Sequence, residues 1–144
     1  MITKFITAAA LCFWLAIPAV SQDPNPAQVE VLAQTETSWD GTRLPKYPQG
    51  HAVVTILRIT IPPHTSLPIH KHLVINAGVL LKGELTVVSE SGLSLHLKAG
   101  DSIVELVNQW HYGVNDGNEP AEIIVFYAGE RGRPNTVQVP ALQF

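Results

Sequence analysis

Two histidines separated by one residue form the clearest chemical signal in the sequence. His70 and His72 lie in an extended apolar segment, and residues i and i+2 of a β-strand point to the same face. Two neutral imidazoles on one face suit a divalent metal ion, which binds ring nitrogens at about 2 Å. A His-x-His pair alone also occurs by chance in β proteins. The surrounding residues must therefore show whether this pair belongs to a metal site.

The surrounding segments resemble the two sequence motifs of the cupin superfamily. The first motif is usually glycine, five residues, His-x-His, three or four residues, glutamate, six residues and glycine. The second is usually glycine, five residues, Pro-x-Gly, two residues, histidine, three residues and asparagine. Every spacing holds here, and the two segments run from His64 through His70, His72 and Asn76 to Gly83, and from Gly100 through Leu106, Asn108 and His111 to Asn115.

This resemblance covers about residues 53–127 and implies both a fold and a site. The fold would be all-β, a small single-domain cupin with a double-stranded β-helix (jelly-roll barrel). His70, His72 and His111 would bind one metal ion inside the barrel, and three imidazoles favour Fe, Mn, Ni, Cu or Zn over Mg and Ca. The resemblance also implies dioxygenase, isomerase or lyase chemistry on a small organic molecule, and a homodimer formed through barrel edges.

Asn76 is the main departure from the motifs, because it stands where the family's ligand glutamate is usual. Strand alternation still places it on the inward face with His70 and His72. An asparagine offers only a neutral oxygen donor. Three outcomes are open: the metal sits on three histidines with open positions, Asn76 is itself a ligand or holds a water, or the site has lost its metal. Asn76 is therefore counted among the candidate metal ligands.

Glu105 is the candidate catalytic residue. It interrupts the apolar segment 102–107, where an acid is out of place. If the face that it shares with Ile103 and Val107 is the barrel interior, Glu105 supplies the missing carboxylate as a metal ligand or as a general base. The alternative is a solvent-facing position on a rim strand.

The elements that would position these residues are short strands. From residue 52 onward the apolar pattern has a period of two, and glycine, asparagine and aspartate punctuate it at regular intervals. We predict an extended segment over 22–50 with one short strand at 28–32, a barrel over 51–129 and a C-terminal tail over 130–144. The predicted barrel strands are 53–61, 67–74, 77–81, 84–89, 93–97, 102–107 and 122–127.

Composition narrows the function classes. The chain has 144 residues, of which 46% are hydrophobic and 15% charged, an ordinary balance for one globular domain. Its net charge is −3, and its nine lysines and arginines are scattered, which argues against a nucleic-acid partner or a basic membrane surface. Two hypotheses remain: a metal-dependent enzyme, or a non-catalytic protein that binds a metal or small molecule in the cell envelope.

The N-terminus predicts export. Lys4 precedes an apolar run from residue 5 to residue 20, and Ala19-Val20-Ser21 is a small-x-small cleavage pattern. We interpret residues 1–21 as a signal peptide, because the run is short for a membrane span and Pro18 interrupts it. The mature protein is expected to be periplasmic or secreted, with no stable membrane anchor after cleavage.

Overall fold

A computed structural model describes residues 26–139 of the chain. The chain divides into two units, Met1–Glu30 and Val31–Phe144, and all regular structure described here lies in the second. The expected signal peptide over residues 1–21 lies outside the described residues, as does the end of the tail over 140–144. No helix in the described part is long and apolar enough to cross a membrane.

Within residues 26–139 the chain forms strands and no helix. β-Branched and other apolar residues are frequent in the longer strands, and more and less buried positions alternate along most of them, as half-buried strands require. In chain order the strands are β1 (Ala52–Ile61), β2 (Thr65–Ser66), β3 (His70–His72), β4 (Ile75–Lys82), β5 (Glu84–Ser89), β6 (Ser94–Lys98), β7 (Ser102–Val104), β8 (His111–Asn115), β9 (Ala121–Glu130) and β10 (Thr136–Gln138).

The strands form two antiparallel sheets that enclose one core. The four-stranded sheet has the order β1-β9-β4-β7, and the six-stranded sheet has the order β10-β3-β8-β5-β6 with β2 paired to β8. Inward side chains of both sheets are almost fully buried between them, for example Ile61 and Ile103 of the four-stranded sheet and Leu85 and Val87 of the six-stranded sheet. This two-sheet arrangement is the all-β jelly-roll architecture that the sequence predicts.

Several strand predictions were wrong. Residues 28–32 form no strand, and the strand predicted at 67–74 is reduced to the short β3, followed directly by β4. Three strands were missed: the two-residue β2, β8, which carries His111, and β10, which lies within the expected C-terminal tail. Gly113 and Asn115 give β8 a weak β-propensity, so its conformation depends on pairing with β3 and β5, which no local pattern encodes.

Candidate metal centre

The structure brings His70, His72 and His111 together. His70 and His72 occupy alternate positions of β3, and His70 is the register partner of His111 on β8, so all three side chains share one face of the sheet. Their ring centroids are 4.5–5.0 Å apart. One nitrogen from each ring lies within 4.8 Å of the others, a spacing that small ring rotations would close around one metal ion.

The Nδ1 of each ring has a hydrogen-bond partner. The Nδ1 of His70 is 2.8 Å from the carbonyl oxygen of Pro68, and the Nδ1 of His111 is 2.9 Å from that of Gln109. Because a carbonyl only accepts, each of these two Nδ1 atoms carries a proton, and in the neutral ring the lone pair is then on Nε2. The Nδ1 of His72 is 2.9 Å from the hydroxyl of Thr136 on β10. This is how metal-binding histidines are usually oriented.

Burial keeps two of the imidazoles neutral. It lowers the pKa of His72 to about 3, and the neighbouring His111 and His70 add to the shift. Burial also lowers the pKa of His111 to about 4, although the hydrogen bond to the Gln109 backbone opposes it. Both rings are therefore free of their second proton near neutral pH, which is the form that binds a metal.

Glu105 follows β7 and faces the same interior. One carboxylate oxygen, Oε2, lies 3.7 Å from the Nε2 of His111, and neither atom has a hydrogen-bond partner. Burial raises the pKa of Glu105 to about 7, while a hydrogen bond from the Leu106 backbone acts in the opposite direction. Since His111 is neutral at this pH, the contact is a close approach of two unsatisfied polar groups rather than a salt bridge.

Asn76 is buried in β4, next to this group of residues. Its side-chain amide donates to the carbonyl of Val74 at 3.3 Å, whereas its Oδ1 is buried without a partner. Asn76 is the register partner of Tyr127 on β9, and the backbone N–H of Glu105 donates to the Asn76 carbonyl at 3.1 Å. Tyr127, Asn76 and Glu105 thus form one row across three neighbouring strands, β9, β4 and β7 with its extension.

A cavity of about 60 Å³ lies between the sheets at this point. Leu67, Leu85 and Val125 form part of its apolar wall, and the three histidines, Glu105 and Tyr127 also line it. Asn76 is not among the lining residues, although it is adjacent in the row. This volume exceeds the roughly 10–15 Å³ that a cavity needs to hold one water molecule. The unsatisfied Nε2 of His111 and Oε2 of Glu105 fit a divalent ion, because an ion would satisfy both.

Two residues of this site were missed from the sequence. Thr136 lies in the tail, where no periodicity marks it, and only the pairing of β10 with β3 brings it to His72. Tyr127 ends the last predicted strand, and its ring packs edge-on against His72 at 5.5 Å between centroids. Its inward direction follows from alternation with Val125 and Ile123, a signal that was present in the sequence.

Comparison with known proteins identifies the family. A family model described as "Cupin domain" matches residues 57–127, the stretch that contains all three histidines and Glu105. The protein is a cupin. No curated protein is significantly similar to the chain.

Solved structures with the same fold are enzymes of several kinds. The cupin is similar to the DMSP lyase DddQ from Ruegeria pomeroyi (19% identity, 60% of this chain and 43% of that chain, TM-score 0.53). It is also similar to an oxalate oxidase (23%, 78% and 60%, TM-score 0.53) and to the oxalate decarboxylase of Lactobacillus farciminis (19%, 60% and 26%, TM-score 0.52). The chain spans less than two thirds of each, and at these identities the likeness concerns the fold.

Proposed function

We propose that this cupin is a metal-dependent enzyme acting on a small organic molecule, with a divalent transition metal on His70, His72 and His111. The observation that carries the proposal is the convergence of the three imidazoles, each with its Nδ1 engaged, beside a buried carboxylate. Imidazole donors favour Fe, Mn, Ni, Cu or Zn. A bound ion of this kind supplies Lewis acidity or a site for oxygen, consistent with dioxygenase, isomerase or lyase chemistry.

The residues of this chain define what the site can do around the ion. The apolar wall lowers the local dielectric, which strengthens electrostatic interactions inside the cavity. The volume of about 60 Å³ favours a small substrate or a small reacting group. Glu105 can serve in two ways: its carboxylate can accept a proton from a bound molecule, or it can bind the metal itself.

The first test is the metal content of the purified protein. We expect about one transition metal per chain in the wild type, loss of the metal in His70→Ala, and retention in the matched control His51→Ala, because His51 is exposed and outside the cluster. A metal-loaded protein would then be screened for oxygen uptake and for lyase or isomerase products. Absence of metal after reconstitution with Fe, Mn, Ni, Cu and Zn would exclude the proposed enzyme.

A second candidate function is a non-catalytic protein that binds a metal or small molecule in the cell envelope. The neutral Asn76 at the position of the usual ligand glutamate favours it, as does the small cavity. The two functions differ in one measurement: a cupin of this second kind would hold one metal per chain with high affinity and show no turnover in the same screen.

Export is part of the proposal and rests on residues 1–21. The apolar run and the Ala19-Val20-Ser21 pattern support a cleaved signal peptide and a periplasmic or secreted mature protein. Intact-mass analysis of the protein recovered from the periplasm or medium tests this directly. We expect a chain that begins close to Ser21 or Gln22; a full-length chain retained in the cytoplasm would contradict it.

Strand β1 supports a homodimer. It is the edge strand of the four-stranded sheet, and it has exposed side chains on both faces: Val54 (61%) and Ile56 (64%) on one, Val53 (41%) and Leu57 (41%) on the other. Its single arginine, Arg58, is already paired with Glu122 at 2.8 Å, so a second copy would meet a largely uncharged apolar edge. Two β1 strands related by a twofold axis can pair antiparallel, and this would cover an edge that otherwise favours aggregation.

A further inference from the structure

Three neutral imidazoles leave the charge of a divalent ion uncompensated. The row of side chains across β9, β4 and β7 offers Asn76 at the centre, but its amide oxygen carries no charge. A divalent ion in a buried, mostly apolar cavity is costly unless an anionic group lies close to it. Among the residues that the structure describes, Glu105 is the only acidic residue that is buried.

Glu105 is the direct cross-strand neighbour of Asn76. The β4–β7 register pairs Ala77 with Val104, and the hydrogen bond from the Glu105 N–H to the Asn76 carbonyl extends it by one residue. Residues directly opposite each other in an antiparallel pair project from the same face with their Cβ atoms about 5 Å apart. Both side chains are buried, and each has one oxygen without a partner, Oδ1 of Asn76 and Oε2 of Glu105.

The distance from Glu105 to His111 fits two ligands of one ion. Two donors bound at about 2.1 Å to the same ion lie between about 3.0 Å apart at a right angle and 4.2 Å apart when opposite. The Oε2 of Glu105 is 3.7 Å from the Nε2 of His111, inside this range. A hydrogen-bonded pair of these atoms would be closer, at about 2.7–2.9 Å.

We propose that Glu105 is the fourth metal ligand, and that the carboxylate usual at the position of Asn76 has moved in this cupin to the opposite residue of the same cross-strand pair. The inference rests on the proposed three-histidine centre and specifies its ligand set. Glu105 then balances one charge of the ion, and Asn76 fills the space beside it as a neutral residue.

The test is the Zn²⁺ affinity of the metal-free, full-length protein, measured by competition with a chelator. Glu105→Gln preserves shape and removes the charge, and we expect its dissociation constant to rise at least tenfold, on the order of the losses that ligand-shell changes produce. The double variant Asn76→Glu, Glu105→Gln returns the carboxylate to the other residue of the pair. We expect it to regain an affinity within about threefold of the wild type.

Two controls keep the outcomes separate. Glu119→Gln removes an exposed acid and should leave Zn²⁺ affinity unchanged. The melting temperature of metal-free Glu105→Gln should be equal to or above that of the wild type, because a buried unpaired carboxylate is removed, so weaker binding would not reflect unfolding. Wild-type affinity in Glu105→Gln, with loss in His70→Ala, overturns Glu105 as a ligand and leaves the histidine centre intact. No binding by the wild type refutes the centre itself.

Discussion

The Nδ1 of His72 lies 2.9 Å from the hydroxyl of Thr136, and this contact ties the C-terminal strand β10 to the candidate metal centre. The two residues are register partners of β3 and β10, so the backbone pairing itself aligns the hydroxyl with the ring. A methyl group in place of the hydroxyl would leave the ring without its orienting partner.

We therefore expect Thr136→Val to weaken Zn²⁺ binding about 10- to 100-fold, because it removes a partner that fixes the tautomer and direction of His72. Thr136→Ser keeps the hydroxyl and should bind within a few-fold of the wild type. The same chelator competition measures both. Equal affinities in the valine and serine variants would show that the hydroxyl plays no part in holding the ring.

Two residues replace motif glycines at positions where the backbone still requires a positive φ. His64 has φ 53° and Asn108 has φ 60°, and these are the non-glycine residues with positive φ in the described part of the chain. The left-handed conformation costs an L-residue about 1–2 kcal/mol, and asparagine tolerates it best. At both positions the backbone thus adopts a conformation that glycine would take without strain.

Substitution at these two positions should change stability in opposite directions. We expect His64→Gly to raise the free energy of unfolding by about 0.5–1 kcal/mol, since the relief of strain exceeds the entropy cost of glycine. Asn108→Ala should lower it by about 1 kcal/mol, because alanine lacks the polar side chain that tolerates this conformation. Urea denaturation measures both; a destabilised His64→Gly would contradict the argument.

The metal-free protein should be most stable near pH 6.5. Burial lowers the pKa values of His72 and His111 from 6.5 to about 3 and 4, so the stability that their neutral forms provide is present above pH 6.5 and lost as the pH falls towards these values. Burial raises the pKa of Glu105 from 4.5 to about 7, so its contribution is present below pH 4.5 and lost as the pH rises through about 7.

Between pH 4.5 and 6.5, the stability gained as the pH rises because of His72 and His111 exceeds the stability lost because of Glu105. Above pH 6.5 only the ionisation of Glu105 still changes the stability. Urea denaturation at a series of pH values should therefore show stability rising to about pH 6.5 and then declining slightly. Glu105→Gln should abolish the decline and keep the rise. A decline above pH 6.5 that persists in Glu105→Gln would assign it to another group.

The proposed dimer can be tested at the centre of the β1 edge. Ile56 is exposed and stands opposite Phe126 of β9, which is also exposed. Ile56→Lys should convert a dimer to a monomer in light-scattering mass measurements, because a pair of like charges would face each other at the twofold axis. Leu93→Lys, an equally drastic change at another exposed apolar residue, should leave the dimer intact. A monomeric wild type at micromolar concentration would contradict the dimer.

The face shared by His70 and His72 could be predicted from the sequence, because a strand alternates with a period of two whatever surrounds it. The same rule places Glu105 on one face with Ile103 but does not say whether that face points into the barrel or to solvent. In the structure it points into the barrel, where Glu105 lines the cavity. The spacing of the second motif marked His111 even though its strand was missed.

Contacts between distant strands could not be predicted in this way. The pairing of β3 with β10 supplies Thr136, and the β4–β7 register sets Glu105 opposite Asn76. Both depend on register between segments far apart in the chain, which no local pattern encodes. The segment at 28–32 shows the converse error, since its residues alternate like a strand but form no strand in the structure.

Strand β10 is only three residues long and lies at the edge of its sheet. Short edge strands open more easily than the centre of a sheet. When β10 opens, His72 loses its partner, so the exchange of a bound ion becomes linked to the fraying of this strand. The lifetime of the holo protein would then be set in part by an element that does not touch the ion.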